Sequence, residues 1–241
     1  MQIDIQLLPF PPNPQIFTNR VIVVIDVLRA TSVMVYAMSQ GAVEIIPTET
    51  AEEAFQIERT FPSGTTFLGG ERESQKIQGF DLGNSPMEYV AKKVEGKRLI
   101  LTTTNGTKAF HLVSSRKEIM VGSFFNIGAT AQRCLELNGD LLIFPSGDKG
   151  NFSLEDTVCG GMLIDLTMRK GKNLISLTDA SYSALILYQR FGANLLEAFQ
   201  LSNHGKDLID LGLEDDLLFC AQTDITDIVP IFQDGVIRVF H

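Results

Sequence analysis

Asp26 ends a run of five β-branched residues, Val21 to Ile25, and Arg29 follows three positions later. A carboxylate and a guanidinium where a strand gives way to a helix can meet a ligand, or simply pair with each other or with solvent. Similar polar turns recur along the chain: Glu71-Arg72 after Gly69-Gly70, then Asn84-Ser85, Thr103-Thr104-Asn105-Gly106, Ser123 with Asn126, and Ser146-Gly147. Helix N-termini bind oxyanions because their first N–H groups lack partners and the dipole is positive there. In the Thr-Asn-Gly loop, Gly106 permits close backbone approach, while Thr103, Thr104 and Asn105 add neutral donors. The same loop also reads as an N-cap and turn.

Carboxylates beside an anion site suit Mg²⁺, which takes oxygen ligands from one or two carboxylates, water and a substrate phosphate. Asp26, Glu71, Glu155 and Asp156 are the candidates. Glu155 and Asp156 equally suit the first turn of a helix, whose dipole favours acids. Asp215 and Asp216 read as a solvated acidic patch. His204, between Asn203 and Gly205, is either a loop contact to a ligand or a surface residue.

Several chemistries are excluded by spacing. No GxxxxGK(S/T) phosphate loop, HExxH, clustered Cys/His or GxSxG is present. No cysteine has an arginine six positions later, and Leu28 stands where a haloacid-dehalogenase-type phosphatase would carry its second aspartate.

The elements that must hold these turns alternate. Val21–Ile25 is a strand buried on both faces, and Thr31 and Ser32 offer caps for a helix starting near Val33. Further strands are expected at 42–47, 65–68, 98–101, 118–121 and 141–144, each followed by a turn and a helix. Thr50 to Glu53 reads as a capping box, as does Ser85 to Glu88 with Pro86 at the first helical position, and Ser153 caps a helix to about Lys170. Alternation through residue 170 calls for a mainly parallel sheet covered on both faces, with the polar turns crowded along one edge. Residues 9–14, PFPPNP, read as an extended arm. Beyond 171 come helices near 179–191 and 194–202, then expected strands at 217–221, 227–231 and 236–240, with Asp234-Gly235 as a hairpin turn. The reading is one catalytic domain over 1–241, divisible into an α/β lobe of about 1–172 and a smaller α+β lobe of about 173–241.

Bulk properties limit the partners. The formal charge is −9, from 20 basic and 29 acidic residues, with no run of Lys or Arg, so nucleic acid is not expected. No apolar run reaches membrane-spanning length, and no secretory signal is visible. Three cysteines without a CxxC pair suit a reducing cytoplasm.

Taken in order, IDVLRATS, GGER, FDLGNSP, LTTTNGT, GSFFN, FSLEDTVCGG, SNHGKDL and CAQTD are similar to the 2-phosphosulfolactate phosphatase family, from Val21 to about Pro230. The resemblance implies a three-layer α/β/α fold with a mainly parallel, mixed sheet. It implies Mg²⁺-dependent hydrolysis of (2R)-2-phospho-3-sulfolactate to 3-sulfolactate and phosphate, a step towards coenzyme M, in a cytoplasmic homodimer. Carried over by position, Asp26, Arg29, Glu71 and Arg72 are the catalytic candidates. Thr31, Asn84, Ser85, Thr103, Thr104, Asn105, Gly106, Ser123, Asn126 and His204 are the substrate-binding ones. Asp26, Glu71, Glu155 and Asp156 would hold the metal.

Asp26 is read as a metal ligand, with general base and acyl-phosphate nucleophile left open. Arg29 and the Thr-Asn-Gly amides would hold the phosphoryl group, and Arg72, with Lys108 or His204, the sulfonate and carboxylate, in a cationic pocket. A phosphatase for another 2-phospho-hydroxy acid, or a non-catalytic protein binding an organophosphate or sulfonate, are the alternatives.

Overall fold

The computed structural model describes residues 1–9, 14–113, 117–171 and 174–240. The expected arm at 9–14 and the expected lobe boundary near 172 fall largely outside these residues.

Strands β1 (Gln2–Ile5), β2 (Val21–Ile25) and β3 (Glu44–Thr48) are followed by β4 (Thr66–Arg72), β5 (Gln75–Lys76) and β6 (Arg98–Thr102). Then come β7 (Ile119–Gly122), β8 (Leu141–Pro145), β9 (Ser176–Leu177), β10 (Ile231–Gln233) and β11 (Val236–Arg238). Helices α1 (Ala30–Ser39), α2 (Ala51–Glu58), α3 (Ala91–Val94), α4 (Gly106–Leu112), α5 (Ile127–Leu137) and α6 (Leu154–Lys170) connect the earlier strands. A run of α7 (Asp179–Phe191), α8 (Leu195–Leu201), α9 (Asn203–Asp210) and α10 (Glu214–Cys220) precedes the final hairpin. Helices cover both faces of one mixed, mostly parallel sheet, giving three α/β/α layers.

The strand order is β5-β4-β6-β3-β11-β10-β7-β2-β8-β1-β9. Two parallel blocks make up most of it: β4-β6-β3, and β7-β2-β8-β1-β9. The hairpin β10–β11 is antiparallel to both neighbours and joins the blocks. Three antiparallel steps separate β3 from β7, so the two blocks run in opposite directions. A flat sheet would therefore put their C-terminal ends on opposite edges. The folded chain nonetheless brings these ends together: Gly106, after β6, lies against Asp26 at the end of β2.

β2 lies inside its block with all five residues buried, as its β-branched composition requires. Three expectations are corrected. Residues 69–72 continue strand β4 instead of forming a loop. Gly70 is needed there because it has φ +141° and any Cβ would run into the Thr102 carbonyl of β6. Residues 217–221 belong mostly to helix α10, not a strand; a short apolar run such as LLFCA has no period that separates the two. Of the last two expected strands, pairing begins only at Ile231 and stops at Arg238, with Asp234-Gly235 turning between them.

The junction between the left block and the hairpin carries a buried charge. Glu44, at the start of β3 and 6 % exposed, accepts from Arg98 on β6 and Arg238 on β11. Burial pushes its carboxyl up, but the two guanidiniums outweigh this and hold it below the ordinary carboxylate value. A carboxyl depressed in the folded protein adds stability above its unfolded value, about 4.3, which is lost as pH falls through the lower folded value. Glu44→Gln should cost about 1.5–3 kcal/mol at pH 7. In urea melts of both proteins from pH 7 to 3, the gap should narrow below about pH 4.3; a constant gap would mean the charge does not matter.

Candidate active site

The end of β2 is tied down by the side chains around it. Thr31 Oγ1 accepts from the Asp26 N–H and donates to the Asp26 carbonyl, both at 2.9 Å. Ser32 donates to the Val27 carbonyl at 2.9 Å. Helix α1 consequently starts at Ala30, earlier than expected, and Thr31 and Ser32 lock the preceding turn from inside it instead of capping from outside. The Leu28–Arg29 peptide within this turn is cis.

This packing fixes the Asp26 carboxylate. Oδ1 accepts from Ala30 N–H at 3.2 Å and Oδ2 from Ser146 Oγ, after β8, at 2.9 Å. Gly106, the first residue of α4, lies against it: a Cβ there would fall on Ala30 and 2.6 Å from Asp26 Oδ2. Behind it, Asp156 Oδ1 accepts from Val27 N–H at 2.8 Å, and Ser153 caps α6 through the Asp156 N–H at 3.2 Å.

A cavity of about 400 Å³ opens over Asp26. Asp26, Arg29, Glu71, Asn84, Thr103, Thr104, Asn105 and His204 all line it, although they come from β2, β4, β6, α9 and their adjoining turns. Asp148 and Lys149 after β8, and Asp207 and Asp210 on α9, complete the wall. Among the described residues, four lining side chains have a buried polar atom without a hydrogen-bond partner in the protein: Arg29 Nε, Asn84 Oδ1, Asp148 Oδ1 and His204 Nδ1. Buried polar groups pair with protein, water or ligand, so these four atoms are donors and acceptors free to meet a molecule in the cavity.

The remaining candidates lie elsewhere. Arg72 donates to the carbonyls of Glu71 and Glu49, at 3.0 and 2.6 Å, and is not on the cavity wall. Ser123 and Asn126 are fully buried in a capping box between β7 and α5, where Asn126 also donates to the Val121 and Ile228 carbonyls. Thr31 and Gly106 act behind the surface, as described. Ser85 has no capping bond; its hydroxyl donates to Asp216 at 2.5 Å, while Glu88 accepts from the Gly83 N–H at 3.0 Å. Lys108 lines a neighbouring hollow that shares Thr104, Asn105 and Lys149 with the main cavity.

Glu71 occupies the position where an anion was expected in the Thr-Asn-Gly loop. Its Oε1 accepts from Thr104 N–H at 2.6 Å, and Oε2 from Thr104 Oγ1 and Ser74 N–H at 3.1 and 2.9 Å. The loop's donors are thus partly consumed within the protein. Asp216 is not a solvated acid: it is 1 % exposed and paired with Arg29. Its place in Glu214-Asp215-Asp216 gave no sign of this: all three stand in the first turn of α10, and of the three Asp216 alone faces the interior. Lys149 also escaped the sequence reading; a lone cation between Asp148 and Gly150 after a strand was its one signal.

The cavity is acidic, against the expectation of a cationic pocket. Asp26, Glu71, Glu73, Asp148, Asp207 and Asp210 face Arg29, Lys149 and His204. Burial raises the Asp26 carboxyl, Glu71 adding to it, while His204, Ser146 and Ala30 pull it down. Burial likewise raises Glu155 and, further, Asp156, each pushed up again by its carboxylate neighbours. Such a donor set fits a divalent cation, which would offset the mutual repulsion. Among the described residues no three His, Cys, Asp or Glu side chains form a ready-made cage. Mg²⁺ characteristically keeps several waters and needs only one or two carboxylates.

Kinship places the chain among phosphoric monoester hydrolases. The family model for 2-phosphosulpholactate phosphatase matches residues 11–235. A protein of Caldanaerobacter subterraneus subsp. tengcongensis named "Probable 2-phosphosulfolactate phosphatase" is 40 % identical over 94 % of this chain and 93 % of its own length. Proteins of the same name from Clostridium beijerinckii and Clostridium botulinum strain Alaska E43 are 38 % and 36 % identical, covering 91 % and 99 % of the chain and 91 % and 100 % of their own lengths. The chain belongs to the 2-phosphosulfolactate phosphatase family. None of its described helices is long and apolar enough to cross a membrane.

The Gly106 contact gives a direct check. Gly106→Ala should destabilise by about 1–3 kcal/mol, an overpacking cost, and displace the Asp26 carboxylate. Thermal melts within experimental error of wild type would show that the contact is slack.

Proposed function

We propose that the protein hydrolyses (2R)-2-phospho-3-sulfolactate to 3-sulfolactate and phosphate in a Mg²⁺-dependent reaction, serving coenzyme M biosynthesis as a cytoplasmic homodimer. The observation that carries the reading is the meeting of Asp26, Arg29 and the Thr-Asn-Gly loop in one cavity of a chain belonging to this family.

The substrate carries phosphate, sulfonate and carboxylate, and an acidic cavity repels such a molecule unless cations accompany it. Mg²⁺ fits Asp26 best, supported by Glu155, Asp156 or Glu71, and when bound supplies neutralisation of phosphoryl charge. Arg29 binds phosphoryl oxygens by charge-assisted hydrogen bonds, strongest as charge spreads over them in the transition state. Lys149, whose ammonium is paired with Asp207 on α9, and His204 on the same helix meet the remaining anionic groups, and Asn84 Oδ1 accepts from a donor on the ligand or its water. Glu71 holds Thr104 and Ser74 in place, so the loop keeps its shape when the ligand leaves.

Phosphate release from phosphosulfolactate and from 2-phospholactate, with Mg²⁺ or with EDTA, tests the reading. Mg²⁺-dependent turnover favouring the sulfonate is expected. Equal use of both would make the enzyme a broader 2-phospho acid phosphatase, and binding without release would make it a binding protein. Asp26→Asn should lower kcat more than about 100-fold with little change in melting temperature; near-normal turnover would remove Asp26 from the chemistry.

The raised carboxyls give a second expectation. Acids whose folded values lie above their unfolded ones, about 4, bind protons more tightly when folded. Without a cation, stability therefore falls as pH rises through the raised values. Mg²⁺ competes with those protons, so its stabilising effect should grow with pH. The gap between melting temperatures with Mg²⁺ and with EDTA, followed from pH 5 to 8, should widen as pH rises from the ordinary carboxylate range; a gap that stays constant throughout would place the metal away from these groups.

A further inference from the structure

Among the described residues Arg29 is the one arginine that lines the cavity, and its guanidinium is almost completely enclosed, at 3 % exposure. Two of its nitrogens are already committed. Nη1 donates to Asp216 Oδ2, and Nη2 donates to the Ser74 carbonyl at 3.0 Å, while Nε has no partner among the described residues. The Asp216 carboxylate is held in turn, because Oδ1 accepts from Ser85 Oγ at 2.5 Å. Asp216 itself is buried on α10, lies 187 positions from Arg29, and is not on the cavity wall.

We propose that Asp216, clamped by Ser85, is a positioning residue that aims Arg29 at the phosphoryl group. This rests on the phosphate-binding role given to Arg29 above. The argument is geometric. A guanidinium is a planar fork of five N–H donors, so fixing two of its nitrogens fixes the directions of the donors left over. A carboxylate with one bonded oxygen can swing; with Oδ1 held by Ser85 and Oδ2 by Arg29, it cannot. The pair also balances the charge of Arg29, which allows a guanidinium to wait in an enclosed site before any ligand arrives. Errors of about 1 Å in such an arrangement can lower a rate on the order of 100-fold. Ser85 and Asp216 therefore act through Arg29, without touching the substrate.

The test centres on Ser85→Ala, which leaves the ion pair but frees one side of the carboxylate. The expected result is a fall in kcat of about tenfold, within the range for misplacement of a binding group, with KM little changed. The Kd for inorganic phosphate, measured by calorimetry with Mg²⁺ present, should weaken several-fold. Ser85→Thr should restore both. In an Arg29→Lys background Ser85→Ala should add nothing, because the fork it steadies is gone. Asp216→Asn should exceed the Ser85 effect in both readouts; if it fails to fold, the Ser85 series still decides.

Unchanged kcat and phosphate affinity in Ser85→Ala would overturn the proposal. A loss that is the same with Lys at position 29 would do so too, since it would show a merely structural role. If wild-type protein releases no phosphate from any 2-phospho acid, yet Ser85→Ala still weakens phosphate binding only when Arg29 is present, the catalytic reading fails and the positioning role stands. A wild-type protein that binds no inorganic phosphate with Mg²⁺ present would sink both.

Discussion

The buried carboxylate of Asp26 is the constraint on which the site depends. Ionised carboxylates avoid enclosed positions unless hydrogen bonds or opposite charge accompany them. Here the fold supplies Ala30 N–H and Ser146 Oγ, but also sets Asp156 and Glu155 behind it. The result is a negative centre that its own protein only partly satisfies. Everything nearby is arranged to hold that centre still: Thr31 and Ser32 lock the turn, Gly106 lets α4 come close, and Ser153 orients α6 so that Asp156 supports Val27. A site strained in this electrostatic sense gains most when a cation arrives, and loses most when the surrounding turns loosen.

Charge is organised in two compartments. On one side Asp26, Asp156 and Glu155 repel one another; on the other Arg29 is fully matched by Asp216. The cavity lies over both. A phosphoryl group bridging them would meet a prepared guanidinium on one flank and a metal-seeking carboxylate on the other. The acid-rich outer wall from α9 and the β4–β5 turn then disfavours any anion that arrives without counter-charge.

Local pattern carried much of the fold. The β-branched run Val21 to Ile25 reads as an interior strand, and Ser153 before Leu154-Glu155-Asp156 reads as a cap; both are local properties of a few residues. Strand order was not legible, because pairing of the hairpin with β3 and β7 depends on residues more than a hundred positions apart. Gly69-Gly70 misled for a related reason: glycine signals a turn when read alone, yet here it serves the close approach of β6. In the site, Asp26, Arg29 and the Thr-Asn-Gly loop stood out as polar residues following strands. Asp216 did not, since an acid among acids at a helix start looks solvated until α10 is docked. Glu71 was singled out, but its service to Thr104 and Ser74 depends on two loops meeting.

The inserted hairpin has a consequence for assembly. Until β10 and β11 take their places, β3 and β7 are bare edges of two separate half-sheets, each offering unpaired N–H and C=O groups to other chains. Closing the gap requires contacts across nearly two hundred residues between Ile45 and Ile237, a slow class of event because so much chain must be gathered first. A half-built molecule would thus expose sticky seams at the very middle of its future core, and dependence on chaperones during synthesis would be a natural outcome of this topology.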